Sequence, residues 1–210
     1  MATVTREQIC ERLIAQRVVP VLRLASAAQT REAVGCLHEA GFRVFEITMT
    51  TPGAVGLIGD LAASLPNSIV GAGTVLDLDI GKRCLDAGAR FLVSPCIVSQ
   101  LATLAHEAGR AALVGGFTPS EVLAAHREGA DIVKVFPAST GGPAHLGALH
   151  AVFPEIWLCP TGGVTAVNMN DYFKAGAALV GVGNNIVDAQ ALARGDRAAV
   201  IAHAKRFLET

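Results

Sequence analysis

Aromatic residues are scarce in this chain, at 5% with one Trp and one Tyr. Its interior must therefore be filled by aliphatic and small side chains, which suits tight turns and close helix-on-sheet packing. Charge is sparse too: 17% of residues are charged and the formal net charge is −1. No Lys/Arg run marks an electrostatic footprint for nucleic acid. No window approaches the ~18 consecutive apolar residues of a membrane-spanning helix. The opening Met1-Ala2-Thr3-Val4-Thr5-Arg6-Glu7 has no apolar run of the kind a secretion signal needs, so a cytoplasmic protein is expected. The five cysteines (Cys10, Cys36, Cys84, Cys96, Cys159) are odd in number and far apart, with no C-x-x-C. They read as reduced thiols rather than a disulfide frame or a zinc site. There is no Walker A motif and no strand-linked G-x-G-x-x-G. The fragment Gly71-Ala72-Gly73-Thr74 reads as a tight strand-to-helix turn.

What is present is an apolar chain of 210 residues, 51% hydrophobic, with 22 glycines. That is enough for one large core, and residues 1–210 read as a single domain. Short β-branched runs alternate with longer Ala/Leu/Glu/Arg-rich stretches of helical spacing. Strands are expected at 18–24, 44–49, 69–74, 91–94, 112–116, 132–136, 156–160 and 178–182. Helices are expected at about 27–40, 53–64, 78–88, 98–108, 119–128, 143–151, 166–175 and 187–207, with an extra one at about 5–16. Gly41, Gly88, Gly109, Gly129 and Gly176 each stand where a helix should close with positive φ before a strand. The strand runs are nearly continuously apolar, as in a parallel sheet covered on both faces. Eight βα units of this size fit a (β/α)8 (TIM) barrel with an added N-terminal helix; a doubly wound open sheet is the rival.

In such a barrel the chemistry lies at the C-terminal ends of the strands. The polar residues expected there are Arg23, Glu46, Thr48, Thr74, Ser94, Thr118, Lys134, Thr161-Gly162-Gly163 and Gly183-Asn184. Lys134 is the sharpest signal. The other three lysines (Lys82, Lys174, Lys205) lie in polar helical stretches, whereas Lys134 interrupts the apolar run Ile132-Val133-Lys134-Val135-Phe136. Alternation turns it into the barrel, away from the helices. Removing an amine from water disfavours its charged form, and a neutral amine can attack a carbonyl. Glu46, in Val44-Phe45-Glu46-Ile47-Thr48, shares that interior and can move protons. The structural alternative is a space-filling Lys–Glu pair. Arg23 at the end of strand 1 suits a carboxylate or phosphate, unless it simply faces solvent. The glycine-rich turns after strands 7 and 8, with helix N-termini behind them, suit an anion cradle. His38, His106, His126, His145, His150 and His203 all fall in helical stretches, and no His/Asp/Glu cluster has metal-ligand spacing. Amine-based carbonyl chemistry is therefore expected over metal-dependent chemistry. Cys96 and Cys159, near strand ends, read as small apolar packers.

Taken in order, Val18-Val19-Pro20-Val21-Leu22, Phe45-Glu46-Ile47-Thr48, Gly71-Ala72-Gly73-Thr74-Val75-Leu76, Ser94-Pro95, Lys134-Val135-Phe136-Pro137-Ala138 and Pro160-Thr161-Gly162-Gly163 resemble the family of 2-keto-3-deoxy-6-phosphogluconate (KDPG) and 4-hydroxy-2-oxoglutarate (KHG) aldolases, essentially end to end. The resemblance implies a metal-free class I aldolase on a (β/α)8 barrel, usually a homotrimer, acting on a small keto acid. It implies Lys134 as the Schiff-base lysine and Glu46 as the acid/base. It also implies Thr74 at the pyruvyl carboxylate, Pro95 and Phe136 along the pocket, and Gly162 and Gly163 in a phosphate cradle. Two positions depart from the KDPG pattern. Thr50 stands where an Arg would bind the carboxylate, and Asn184 stands where Ser would meet the phosphate. An Arg ending strand 1, as Arg23 does, resembles the 6-phosphogalactonate branch, so Arg23 is expected to supply the missing cation. The expected reaction cleaves a 2-keto-3-deoxy-6-phospho-sugar acid to pyruvate and glyceraldehyde 3-phosphate. The alternatives are an aldolase for unphosphorylated 4-hydroxy-2-oxoglutarate-type acids and a catalytically silent phosphosugar-binding barrel.

Overall fold

A computed structural model describes residues 4–209; the remaining four residues of the expected 1–210 domain, Met1–Thr3 of the opening segment among them, lie outside the described residues. The chain begins with α1 (Arg6–Gln16) and then alternates: β1 (Val18–Leu22), α2 (Ala27–Ala40), β2 (Val44–Thr48), α3 (Ala54–Ser64), β3 (Ile69–Gly73), α4 (Leu78–Asp86), β4 (Phe91–Val93), α5 (Leu101–Glu107). It continues with β5 (Ala111–Gly116), α6 (Pro119–Arg127), β6 (Ile132–Val135), α7 (Ala138–Val152), β7 (Leu158–Pro160), α8 (Met169–Lys174), β8 (Val180–Val182), α9 (Ala189–Ala193) and α10 (Arg197–Lys205). All eight expected strands form. The five helix-closing glycines all have positive φ, between 69° and 122°.

Two helices differ from expectation. Helix α7 starts at Ala138 and runs across a kink at Gly142 (φ 64°, ψ −169°), just before Pro143. Proline lacks the N–H of a regular helix and pushes its predecessor into extended backbone, so the turn before it does not read as helical from composition. The last expected helix is two, because Gly195 (φ 71°) breaks it and Asp196 caps the second piece through Ala199 N–H.

The strands are parallel and lie in the order β7-β6-β5-β4-β3-β2-β1-β8. Bridges Thr161–Gly181 and Leu158–Ala177 join β7 to β8. Consecutive strands are neighbours all the way round, so the sheet is a nearly closed barrel and not a doubly wound sheet, whose order reverses at a switch point.

Alternation along each strand separates two apolar layers. Val133, Val135, Phe45 and Ile47 pack outward in the main core beneath the helices. Val19, Val44, Ile69, Phe91, Leu113, Ile132 and Leu179 fill the barrel interior. Helix α1 closes the N-terminal end by adding Ile9, Cys10 and Leu13 to that interior layer. Thr5 and Gln8 form its capping box. Asp131 ties it down, accepting from Ala112 N–H (2.8 Å) and His106 Nε2 (2.9 Å) and standing 3.5 Å from Arg6 Nε. Each large aliphatic side chain so buried contributes about 1.5–3 kcal/mol.

Candidate active site

Toward the C-terminal end the barrel interior turns polar, and glycine makes the room. Gly71 and Gly73 face inward from β3; they are strand residues, not the turn that their composition suggests. A Cβ on Gly71 would stand 2.4 Å from the Phe91 ring, and one on Gly73 would stand 1.9 Å from Glu46 Oε1. Gly73 is therefore the residue that lets Glu46 lie across the barrel.

Lys134 and Glu46, 88 residues apart in sequence, meet with Nζ 3.5 Å from Oε1. Both residues are buried, at 4% and 3% exposure. Among the described residues neither side chain has another hydrogen-bonding partner; the Phe136 ring lies 5.7 Å from Nζ. An ammonium offers three donors and a carboxylate about four lone-pair sites. A buried pair kept only for packing is usually saturated with further hydrogen bonds, because unmet polar groups are costly. Here most of that capacity is unused. Lys134 lines a cavity of about 300 Å³ together with Arg23, Thr74, Thr161, Gly163 and Asn184, among others, and Glu46 adjoins it through its contact with Lys134. Cys159 lies beside the lysine, and burial pushes its thiol up to about 12. It is a neutral space-filler there, as expected for a packer. Cys96 departs from that expectation, being exposed.

Thr74 has φ 58°, unusual for a β-branched residue. The backbone on either side is pinned: Met49 N–H donates to Gly73 O (2.8 Å) and Val75 N–H to Val93 O (3.0 Å). Such strain costs about 1–3 kcal/mol and persists where neighbours over-determine it, often at functional sites.

Arg23 is exposed on the same cavity and has no ion-pair partner among the described residues. Gly162 (φ 93°) and Gly163 (φ 80°) form the turn after β7. Their carbonyl side is fastened to the start of α7, with Ala138 N–H donating to Thr161 O (2.8 Å) and Ser139 N–H to Gly162 O (2.9 Å). After β8, Gly183 leads into a single 3₁₀ turn, Asn184–Ile186. No long helix starts behind this turn as expected; the next helix, α9, is five residues, Ala189–Ala193.

Two expected pocket residues are placed elsewhere. Thr50 faces a neighbouring cavity of about 440 Å³ between the β2–α3 loop and α4. Its hydroxyl lies 2.8 Å from Thr48 Oγ1, which itself donates to Leu22 O (3.1 Å). Thr48 has spent its proton, so Thr50 is the donor. Through Thr48 its hydroxyl braces the end of β1, one residue before Arg23, and it does not line the Lys134 cavity. Pro95 faces a smaller cavity of about 160 Å³, which shares Phe136 with the Lys134 cavity. Ser94 and Thr118 are structural: Ser94 Oγ donates to Cys96 O (2.7 Å), and Thr118 caps α6.

Val21 and Asn185 line the Lys134 cavity without having been expected to. Val21 was within reach of alternation, standing two residues from Arg23 on one strand face. Asn185 belongs to the glycine-rich turn after β8 without being singled out in it; its Nδ2 donates to Val164 O (3.2 Å), a contact that only the fold creates. Among the described residues no group of three or more His, Cys, Asp or Glu gathers as a metal site.

The model of the family described as KDPG and KHG aldolase matches residues 9–203. The chain belongs to that family. It is therefore an aldolase, a carbon–carbon lyase. A probable 2-dehydro-3-deoxy-6-phosphogalactonate aldolase of Rhizobium meliloti (strain 1021) is 35% identical over 171 residues, covering 80% of this chain and 81% of that protein. A KDPG aldolase structure from Legionella pneumophila, with pyruvate captured as a covalent carbinolamine, superposes with TM-score 0.86 at 28% identity, covering 94% of this chain and 97% of the other. A designed cage built by fusing symmetric oligomeric domains contains a matching chain at TM-score 0.82 and 27% identity, covering 91% of this aldolase and 70% of that chain. Among the described residues no helix is long and apolar enough to cross a membrane.

Proposed function

We propose that this aldolase cleaves a 2-keto-3-deoxy-6-phospho-sugar acid reversibly to pyruvate and glyceraldehyde 3-phosphate, through an imine on Lys134 and without a metal. The observation that carries the reading is the under-saturated Lys134–Glu46 pair, 3.5 Å apart, whose lysine lines the cavity that Arg23 also lines.

In its neutral form Nζ adds to the C2 carbonyl. The carbinolamine loses water, with Glu46 protonating the departing hydroxyl, and an iminium forms. The C4 hydroxyl then gives its proton to the Glu46 carboxylate. The C3–C4 electron pair flows into the iminium, and the aldehyde leaves. The resulting enamine takes a proton at C3 from Glu46, and water releases pyruvate. Thr74, fixed over the cavity by its pinned backbone, holds the substrate carboxylate, with Arg23 supplying the charge that Thr50 does not. The N–H groups around Gly162, Gly163, Gly183 and Asn184 receive the phosphate.

Asn184, exposed and without a hydrogen bond among the described residues, brings no charge to the turn that would receive a phosphate, which favours a second reading in which an unphosphorylated 4-hydroxy-2-oxoglutarate-type acid is the better substrate. Cleavage rates on phosphorylated and unphosphorylated acids separate the two. The proposal extends to a homotrimer, supported by the oligomeric relative, and to a cytoplasmic location, in keeping with five free thiols.

The deciding experiment is reductive trapping. Incubation with pyruvate and borohydride should leave a mass adduct on the Lys134 peptide, and Lys134→Ala should lose both adduct and turnover. A wild-type protein that forms no adduct would return the chain to a silent sugar-acid-binding barrel.

A further inference from the structure

The opposite, N-terminal end of the barrel has a cavity of about 520 Å³ whose lining includes Arg12, Arg17 and Arg43; Arg12 also borders a smaller cavity beside Pro66 and Ser68. Not one of these guanidinium groups is paired with a carboxylate among the described residues. Three cations around one concavity, without a counter-ion among the described residues, repel one another.

Each is nevertheless held in place. Arg43 Nη1 donates to His38 O (2.8 Å) and Phe42 O (2.7 Å), leaving its Nη2 and Nε free. Arg12 uses Nη2 on Asn67 O (2.5 Å). Arg17 donates to no carbonyl; its guanidinium lies 4.0 Å from the centre of the Phe173 ring, which fixes the plane. Between them Gln16 is saturated. Its amide donates to Val18 O and Val44 O and accepts from Arg43 and Val44 N–H, so it sets the floor rigidly.

Capping of helix ends explains part of this, since cations and C-terminal carbonyls attract. It applies to Arg17 as well, but not to the backbone conformation there. That residue ends α1 with φ 63° and ψ −43°, a strained conformation that glycine would adopt freely. An arginine kept at a glycine position, stacked and uncompensated, marks a charge with a use. The remaining wall is apolar, from Ala15, Val44, Phe207 and Leu208.

We infer that this cavity is a second binding site, separate from the Lys134 centre, for a small organic polyanion. The ligand carries two or more phosphate or carboxylate groups for the guanidinium groups and an apolar stem for the wall. Planar guanidinium groups suit both kinds of anion.

Thermal unfolding with inorganic pyrophosphate or citrate as probes tests it, against sodium chloride at matched ionic strength. Either probe, at about ten times its Kd, should raise the wild-type Tm by about 2 °C or more. Arg17→Gln, at an exposed position, and Arg12→Gln, at a half-buried one, should each lose at least half of that rise. Arg23→Gln, at the other end of the barrel, should keep it. Which probe acts more strongly assigns the anion to phosphate or carboxylate. A rise that survives in both cavity variants reflects general salt stabilisation and overturns the site, as does a rise that disappears in Arg23→Gln or is absent from the wild type.

Discussion

The two ends of the barrel interior are built from the same eight strands and differ as if they came from different proteins. At the N-terminal end, inward positions carry Val19, Val44, Ile69, Phe91 and Ile132, and α1 seals them with Ile9 and Leu13. Two residues further along the same strands, the inward positions become Val21, Glu46, Gly71, Val93 and Lys134, with Gly73 one inward step beyond Gly71. The first set is close-packed and apolar, and its purpose is stability. The second leaves volume empty and two ionisable groups incompletely hydrogen-bonded, which costs stability and supplies reactivity. The closed end holds the strands in the register that the open end needs.

That division can be broken deliberately. The largest stability effect is expected at the sealed end. Leu13→Ala removes a side chain with 0% exposure and should cost about 2–5 kcal/mol in urea unfolding, while kcat of the folded fraction stays within about twofold of wild type. A kcat that collapses along with stability would show that the two ends are not separable. Next comes Gly73→Ala. Its new Cβ, 1.9 Å from Glu46 Oε1, must push the carboxylate off the lysine. Steady-state kinetics should give a fall in kcat of about 100-fold, the scale of a lost acid/base, with a smaller overpacking cost of about 1–3 kcal/mol. The smallest effect sharpens the comparison inside the open end. Thr50→Val removes the hydroxyl that braces Thr48 and Leu22 O. A lost hydrogen bond of about 0.5–1.5 kcal/mol should appear as a few-fold rise in KM with little change in kcat, and Thr50→Ser should restore it. If Thr50→Val leaves KM untouched, the brace does not position Arg23.

The fold was largely legible before any coordinates. Every strand appears near its expected place, because apolar runs bounded by Gly, Pro and Thr are local signals, and helix-ending glycines at φ > 0 punctuate them. Lys134 and Glu46 were legible for a related reason: a charge in a run buried on both faces is a contradiction visible within five residues. The misreadings arose where a side chain's direction depends on distant neighbours. Gly71-Ala72-Gly73 resembles a turn until Phe91 and Glu46 are seen to occupy the space beside it. Thr50 is expected at the substrate carboxylate, yet its hydroxyl turns toward Thr48. Cys96 was expected to pack and is exposed, because the chain leaves the barrel at Ser94.

The amino-acid order by itself determined the alternation of elements, the apolar faces and the presence of an amine and a carboxyl inside the strands, since each depends on residues within one or two turns of the chain. The folded molecule alone decided that these two groups lie 3.5 Å apart, that the rim divides into separate cavities, and that three arginines share one at the far end. Distances across a barrel depend on the tilt and volume of all its strands together, and no local pattern carries that sum.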